Sequence, residues 1–202
     1  METQHLTAKG ERSRARIVDA AATVIADRGV DAASCDQILA LAGASKSQLY
    51  HYFRGKEDLV RAVIQLRFEQ VLELQHSWLT NLDTFDGIRE WFDGVIEMNR
   101  AAGSPGCVLA TISAEIADRD EQARCDVASC FETWEAYLAD GLRAMQARGE
   151  LATSAEPEVL ASGAFAALQG GLLQAKARQD PQQLANALDA AYTYLRSYAV
   201  EH

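Results

Sequence analysis

Two copies of one short pattern constrain this chain more than any other feature of it. Ser34-Cys35-Asp36-Gln37 and Ser45-Lys46-Ser47-Gln48 each place a serine three residues ahead of a glutamine. In that arrangement the hydroxyl takes the backbone N–H of the third residue, and the amide returns to the serine's own N–H. Each tetrapeptide therefore starts a helix. The first of these helices must be short, because Ala42-Gly43-Ala44 turns the chain before the second begins. Two capped helices of about two turns joined by a glycine-containing turn form a helix-turn-helix. Ile38 and Leu41 are expected to face inward from the first, Leu49 and Phe53 from the second.

The flanking sequence is helical too. Ile17, Ala21, Val24 and Ile25 recur at helical spacing in a helix from about Lys9 to Arg28, which Gly29 stops. Gly55 is placed to cap a long helix from Lys56 to about Ser77, and Phe85 to Ala101 forms the next. Ser104-Pro105 reads as a cap followed by proline at the first helical position, with a helix to about Ala117. Glu121 to Arg148 follows, closed by Gly149; Glu156-Pro157 opens a helix to about Arg178, and Asp180-Pro181 opens the last, to about Val200. That is nine helices and no convincing strand. Only three prolines interrupt 202 residues, which suits an all-α chain.

No apolar run reaches the ~20 residues of a membrane span, so no membrane is expected as a partner. The polar, charged N-terminus does not read as a secretory signal. Cys35, Cys107, Cys125 and Cys130 show neither a C-x-x-C pair nor zinc spacing, and His76 and His202 have no ligating neighbours. The expectation is a reduced, cytoplasmic protein with no cofactor and no metal. The net charge of −10 is unevenly spread. Residues 1–67 hold ten Lys/Arg against eight Asp/Glu, whereas the rest hold nine against twenty-one. A mildly basic end on an acidic body suits a protein that presents that end to phosphate.

The run Ala42-Gly43-Ala44-Ser45, then Leu49-Tyr50-His51-Tyr52-Phe53, then Lys56-Glu57-Asp58-Leu59 resembles the TetR/AcrR family of repressors. The resemblance spans about residues 9–65. It implies a TetR-type fold: a three-helix DNA-binding head over residues 1–55 and a helical ligand-binding and dimerisation domain over 56–202. It also implies a homodimer on palindromic double-stranded operator DNA, with the third helix in the major groove. Gly55 departs from the Ser, Thr or Asp usual before the Lys-Glu pair, at a cost of only a few tenths of a kcal/mol.

The residue chemistry agrees. Lys46, Ser47 and Gln48 occupy the first turn of a helix short enough to enter a groove ~12 Å wide, where lysine donates to guanine and glutamine pairs with adenine. Tyr50, His51 and Tyr52 can donate to phosphates without reading sequence. Lys56, at a helix start, joins its charge to free backbone N–H groups on one phosphate. Packing competes with the phosphate role for Tyr50, and Ser45 is a cap.

The second half resembles a narrower branch, the NemR- and AcuR-like regulators. Gly106-Cys107-Val108-Leu109, Ala114-Glu115-Ile116-Ala117-Asp118 and Leu168-Gln169-Gly170-Gly171-Leu172-Leu173-Gln174-Ala175-Lys176 carry that resemblance. It implies sensing of electrophiles or oxidants at Cys107, with Lys176 part of the pattern. Read from position alone, Cys107 falls third in its helix, where the helix start favours a thiolate. The plain alternative is a small apolar residue packing that start. Cys35, Cys125 and Cys130 read as packing residues. Trp91, Trp134, Phe165 and Gln169 are candidates to line a pocket for a reversible small-molecule inducer, in which case Cys107 is passive. The small residues of the last two helices, among them Gly163, Ala167, Gly170, Gly171 and Ala190, suit a dimer interface or tight packing within one chain. A thiol enzyme would need a base beside Cys107, which no motif supplies. A protein-interaction module would not need the Tyr-x-Tyr-Phe and Lys-Glu-x-Leu pattern.

Overall fold

The computed structural model describes residues 7–101, 106–116 and 118–200, and among them it holds nine helices. They are α1 (Ala8–Ala32), α2 (Cys35–Ala42), α3 (Lys46–Tyr52), α4 (Lys56–Leu79), α5 (Phe85–Ala101), α6 (Val108–Ile116), α7 (Glu121–Ala147), α8 (Pro157–Arg178) and α9 (Gln182–Arg196). The chain divides into two compact units. One comprises residues 1–70 and 108–128, the other 71–107 and 129–202.

In the first unit Thr7 caps α1, its hydroxyl accepting the N–H of Gly10 at 3.3 Å. Both serine–glutamine boxes form. Gln37 N–H reaches Ser34 Oγ at 3.2 Å and Ser34 N–H reaches Gln37 Oε1 at 3.1 Å; the Ser45–Gln48 pair repeats this at 3.2 and 2.8 Å. Gly43 ends α2 in the left-handed region, φ +58°, which only glycine enters cheaply. Ile17, Ala21 and Ile25 of α1, Ile38 and Leu39 of α2, Leu49 and Phe53 of the α3 segment, and Leu59, Val63 and Ile64 of α4 form a common core. Leu41 was expected in that core, but it is 57% exposed and Leu39 takes its place. With α2 pressed to α1 along the arc of Ile38, Leu39 and Ala42, position 41 turns outward.

Gly29 interrupts α1 with φ +82° and ψ 168°. The helix proper stops there, as the sequence indicates, and one further turn follows before α2. A Cβ at Gly29 would lie 2.6 Å from Glu115 Oε1, because the last turn of α6 packs against this break. Leu109, Ile112 and Ile116 bury the other face of α6.

The helix placed at Pro105 begins instead at Val108. Gly106 has φ +129°, outside helical geometry, so the helix cannot start before it. Ser104, Pro105 and Ala117 lie outside the described residues.

In the second unit α8 packs along α9, and α9 against α5. A Cβ at Gly171 would lie 3.0 Å from Leu184 Cδ1 and 3.0 Å from Ala187 Cβ, which is why the contact uses glycine. The last helix stops at Arg196 rather than near Val200. Residues 198–200 leave it to pair with 150–152: Ala152 N–H donates to Tyr198 O at 2.8 Å and Val200 N–H to Glu150 O at 3.0 Å. No helix of the described residues is long and apolar enough to cross a membrane.

The break at Gly29 gives a stability test. Its φ/ψ is nearly exclusive to glycine, at a cost of about 1–3 kcal/mol for another residue. Gly29→Ala should lower urea stability by that amount. Gly29→Ala with Glu115→Ala should recover the part due to the carboxylate clash and retain the backbone part. An unchanged midpoint in Gly29→Ala would contradict the geometry.

Candidate functional site

The exposed surface of the first unit carries the residues that sequence reasoning selected on α3. Lys46, Ser47, Tyr50 and His51 are exposed, Gln48 and Tyr52 half-buried, and Tyr50 is the most open of the aromatic rings at 63%. Lys46 Nζ lies 3.0 Å from Asp36 Oδ1, and this hydrogen bond holds the lysine above its ordinary pKa. So exposed a pair is worth little and exchanges partners readily. Gln48 is more committed. Its amide oxygen closes the box to Ser45, and its Nε2 donates to Ser13 Oγ on α1 at 3.4 Å. The atoms that would read adenine instead fasten α3 to α1.

Beside α3 lies an open groove of about 800 Å³. Lys9, Arg12 and Arg16 of α1 line one wall, and His51 and Tyr52 of α3 the other. Sequence reasoning missed the three basic residues. The signal was their spacing of three and four along the opening turns of α1, which sets them on one helix face. Arg14 points elsewhere, its guanidinium 5.2 Å from the Phe53 ring centroid.

A second cluster joins the end of α1 to α4 and α6. Arg119 donates twice to Asp31, Nη1 to Oδ1 at 2.8 Å and Nη2 to Oδ2 at 2.9 Å. Glu115 Oε2 accepts the backbone N–H of Asp31 at 3.1 Å. Lys56 Nζ donates to Asp31 O at 3.3 Å. The Arg119 hydrogen bond holds the Asp31 carboxyl below its ordinary pKa. Lys56, chosen as a phosphate ligand, thus spends one of its three donors on the backbone at the end of α1.

In the second unit Cys107 stands just before α6 rather than third within it, displaced by the turn at Gly106. It is half-buried. The Lys176 stem lies across Gly106, its Cδ 2.9 Å from where a Cβ would sit. The residue that Lys176 covers is thus the one immediately before Cys107. Of the other thiols, Cys130 is buried and Cys35 half-buried. Cys125, read as a packing residue, is exposed on the solvent side of α7, with Sγ donating to Glu121 Oε1 at 3.7 Å.

The four pocket candidates separate. Trp91 is buried, and its Nε1 donates to the buried Gln75 Oε1 at 2.8 Å. Trp134 and Phe165 are buried together, with ring centroids 5.2 Å apart, and Gln169 follows Phe165 by one turn of α8. The small residues of α8 divide by face. Gly171 and Ala164 pack within the chain, while Gly163 and Gly170 have no atom within 4 Å of a Cβ built on them. Among the described residues no group of three or more His, Cys, Asp or Glu is arranged to hold a metal ion.

Comparison with known proteins agrees with this geometry. Residues 17–63 match the family model described as bacterial regulatory proteins, tetR family, and residues 85–191 match a tetracyclin repressor-like C-terminal domain. The chain is 28% identical to the transcriptional regulator AcuR of Cereibacter sphaeroides over 79% of its own length and 74% of that protein. It is 26% identical to the HTH-type transcriptional repressor NemR of Escherichia coli, covering 92% of this chain and 89% of NemR. The fold is similar to a crystal structure of a TetR regulatory protein from Rhodobacter sphaeroides, with TM-score 0.79, 23% identity, and 90% and 98% of the two chains covered. It is also similar to the reduced form of E. coli NemR, with TM-score 0.74, 25% identity, and 93% and 97% covered.

Proposed function

This chain belongs to the TetR family and is a DNA-binding transcriptional repressor, not an enzyme; beyond that, we propose that it binds a palindromic operator as a homodimer and lets go when an electrophile or oxidant reacts at Cys107. Residues 1–55 are the DNA-binding head and 56–202 the sensing and dimerising part. The observation that carries the sensing reading is the Lys176 stem laid across Gly106, the residue before Cys107. An ammonium near a thiol favours the thiolate, the form that reacts. The likeness to a repressor crystallised in a form named as reduced points the same way.

On DNA, Lys46 and Ser47 read base edges from the first turn of α3. Lys46 exchanges its exposed pair with Asp36 for guanine. Gln48 serves first as the cap that orients α3, and it reaches a base only if that cap opens. Tyr50, His51 and Tyr52, with Lys9, Arg12 and Arg16 across the groove, hold the phosphate backbone. Lys56 adds its remaining donors.

The switch acts through the chain itself. Cys107 gives its S–H proton to water, the thiolate sulfur forms an S–C bond to an electron-poor alkene as the alkene's π bond breaks, and the far alkene carbon takes a proton back from water, so that thiol plus alkene gives one thioether. The new bulk sits one residue before α6. Glu115 at the far end of that helix, and Arg119 just beyond it, hold the last turn of α1, so a displaced α6 moves the head that α1 begins. A second reading, reversible binding of a small molecule with Cys107 passive, draws on the buried, unpaired polar atoms of Trp134 and Gln169. The dimer reading draws on the open face of α8. Val159, Gly163, Gly170 and Leu173 fall on one helix face, all exposed in the single chain.

Two outcomes follow. Purified Cys107→Ser should bind operator as wild type does but no longer release it on treatment with N-ethylmaleimide, read by gel shift, whereas Cys125→Ser should release normally. If Cys107→Ser still releases and Cys125→Ser does not, the exposed thiol on α7 is the sensor. Gly170→Glu should keep its circular dichroism and thermal transition, because its side chain enters open space, yet run as a monomer in light scattering. A Gly170→Glu dimer would place the interface elsewhere.

A further inference from the structure

Among the buried polar side chains of the second unit that hold an unpaired atom, Trp134 and Gln169 lie on the two helices that carry one aromatic cluster. Phe131 and Trp134 of α7 meet Phe165 of α8, with centroids 5.4 and 5.2 Å apart. Gln169 lies one turn beyond Phe165, so their Cβ atoms are about 5–6 Å apart on the same face. Trp134 is 3% exposed, and its Nε1 has no hydrogen-bond partner among the described residues. Gln169 is half-buried as a residue, yet both its Oε1 and Nε2 are covered and unpaired, so the amide tip points inward while the stem reaches the surface.

A buried polar group left unpaired costs about 1–3 kcal/mol, and native proteins keep few of them. Trp91 shows the usual solution in the same unit, with its N–H taken by Gln75. The two helices that carry these rings, α7 and α8, thus also carry three buried, unpaired polar atoms: two N–H donors and one carbonyl acceptor. The complement is a guest with a carbonyl oxygen and an N–H on adjacent atoms and a flat body. A carboxylate would leave the Gln169 oxygen facing negative charge, and a plain hydrocarbon would leave all three atoms unpaired.

We propose that Trp134 and Gln169, with the rings of Phe131 and Phe165, form a binding site for an uncharged aromatic carboxamide or a molecule of that hydrogen-bonding pattern. Its carbonyl oxygen accepts from Trp134 Nε1 and Gln169 Nε2, and its N–H donates to Gln169 Oε1. This rests on the reversible-ligand reading of the same domain and names its ligand class.

The test uses benzamide, benzoate and toluene as probes against the full-length chain, by isothermal calorimetry. Benzamide should bind saturably at one site per chain and at least tenfold more tightly than benzoate or toluene. Gln169→Leu and Trp134→Phe should each weaken benzamide at least tenfold. Without ligand, Gln169→Leu should melt at or above the wild-type temperature, because the substitution removes two unpaired atoms from the interior. No saturable benzamide heat, equal affinity in both variants, tighter benzoate, or a Gln169→Leu protein that melts lower would each overturn the site. Operator binding is measured in parallel by fluorescence anisotropy. Benzamide that binds without releasing DNA leaves the site standing and removes the reversible-ligand reading. Intact operator binding with no benzamide bound removes the site alone.

Discussion

The end of α1 is the point on which the rest of this molecule depends. Gly29 leaves helical geometry there, and the turn beyond it presents Asp31 to Arg119, its N–H to Glu115 and its carbonyl to Lys56. Four segments meet at one short stretch of backbone: α1, the start of α4, the end of α6 and the turn after it. The Arg119–Asp31 ion pair there is exposed and weak. The rigidity comes instead from backbone geometry that only glycine adopts and from a carboxylate filling the space a side chain would need. That combination ties the helix-turn-helix to α6, the helix that begins one residue after Cys107.

The same logic governs α3. A seven-residue helix is too short to be stable on its own. It stands because the Ser45–Gln48 box satisfies its first N–H groups, because Gln48 ties it to Ser13, and because Leu49 and Phe53 anchor its inner face. With those positions fixed, Lys46, Ser47, Tyr50 and His51 are left outward. One of the outer residues, His51, faces the basic stripe of Lys9, Arg12 and Arg16 on α1.

Much of this was legible in the sequence, for a physical reason. Capping boxes, glycine stops and proline starts are local devices, so Ser34, Gln37, Ser45, Gln48, Gly43 and Pro157 declared their helices directly. What stayed hidden depends on distant neighbours. The start of α6 moved to Val108 because Gly106 takes a positive φ under the Lys176 side chain, seventy residues away. Leu39 replaced Leu41 inside because the angle at which α2 meets α1 decides between neighbouring positions. Cys125 proved exposed because helical periodicity alone does not say which face of α7 is covered. The sorting of Trp91 from Trp134 required knowing that Gln75 pairs with one, whereas no described residue pairs with the other.

The central claim is that the basic groove and the first turn of α3 make this chain a sequence-specific DNA binder. It is tested most directly by fluorescence anisotropy on the DNA flanking its own gene, titrated at several salt concentrations beside a scrambled duplex of equal length. The account predicts a preference of at least ~10³-fold for the native site. It also predicts that the logarithm of affinity falls linearly with the logarithm of salt, with a slope of about −0.9 for each phosphate neutralised. Equal binding to both duplexes, or affinity that does not change with salt, would contradict it.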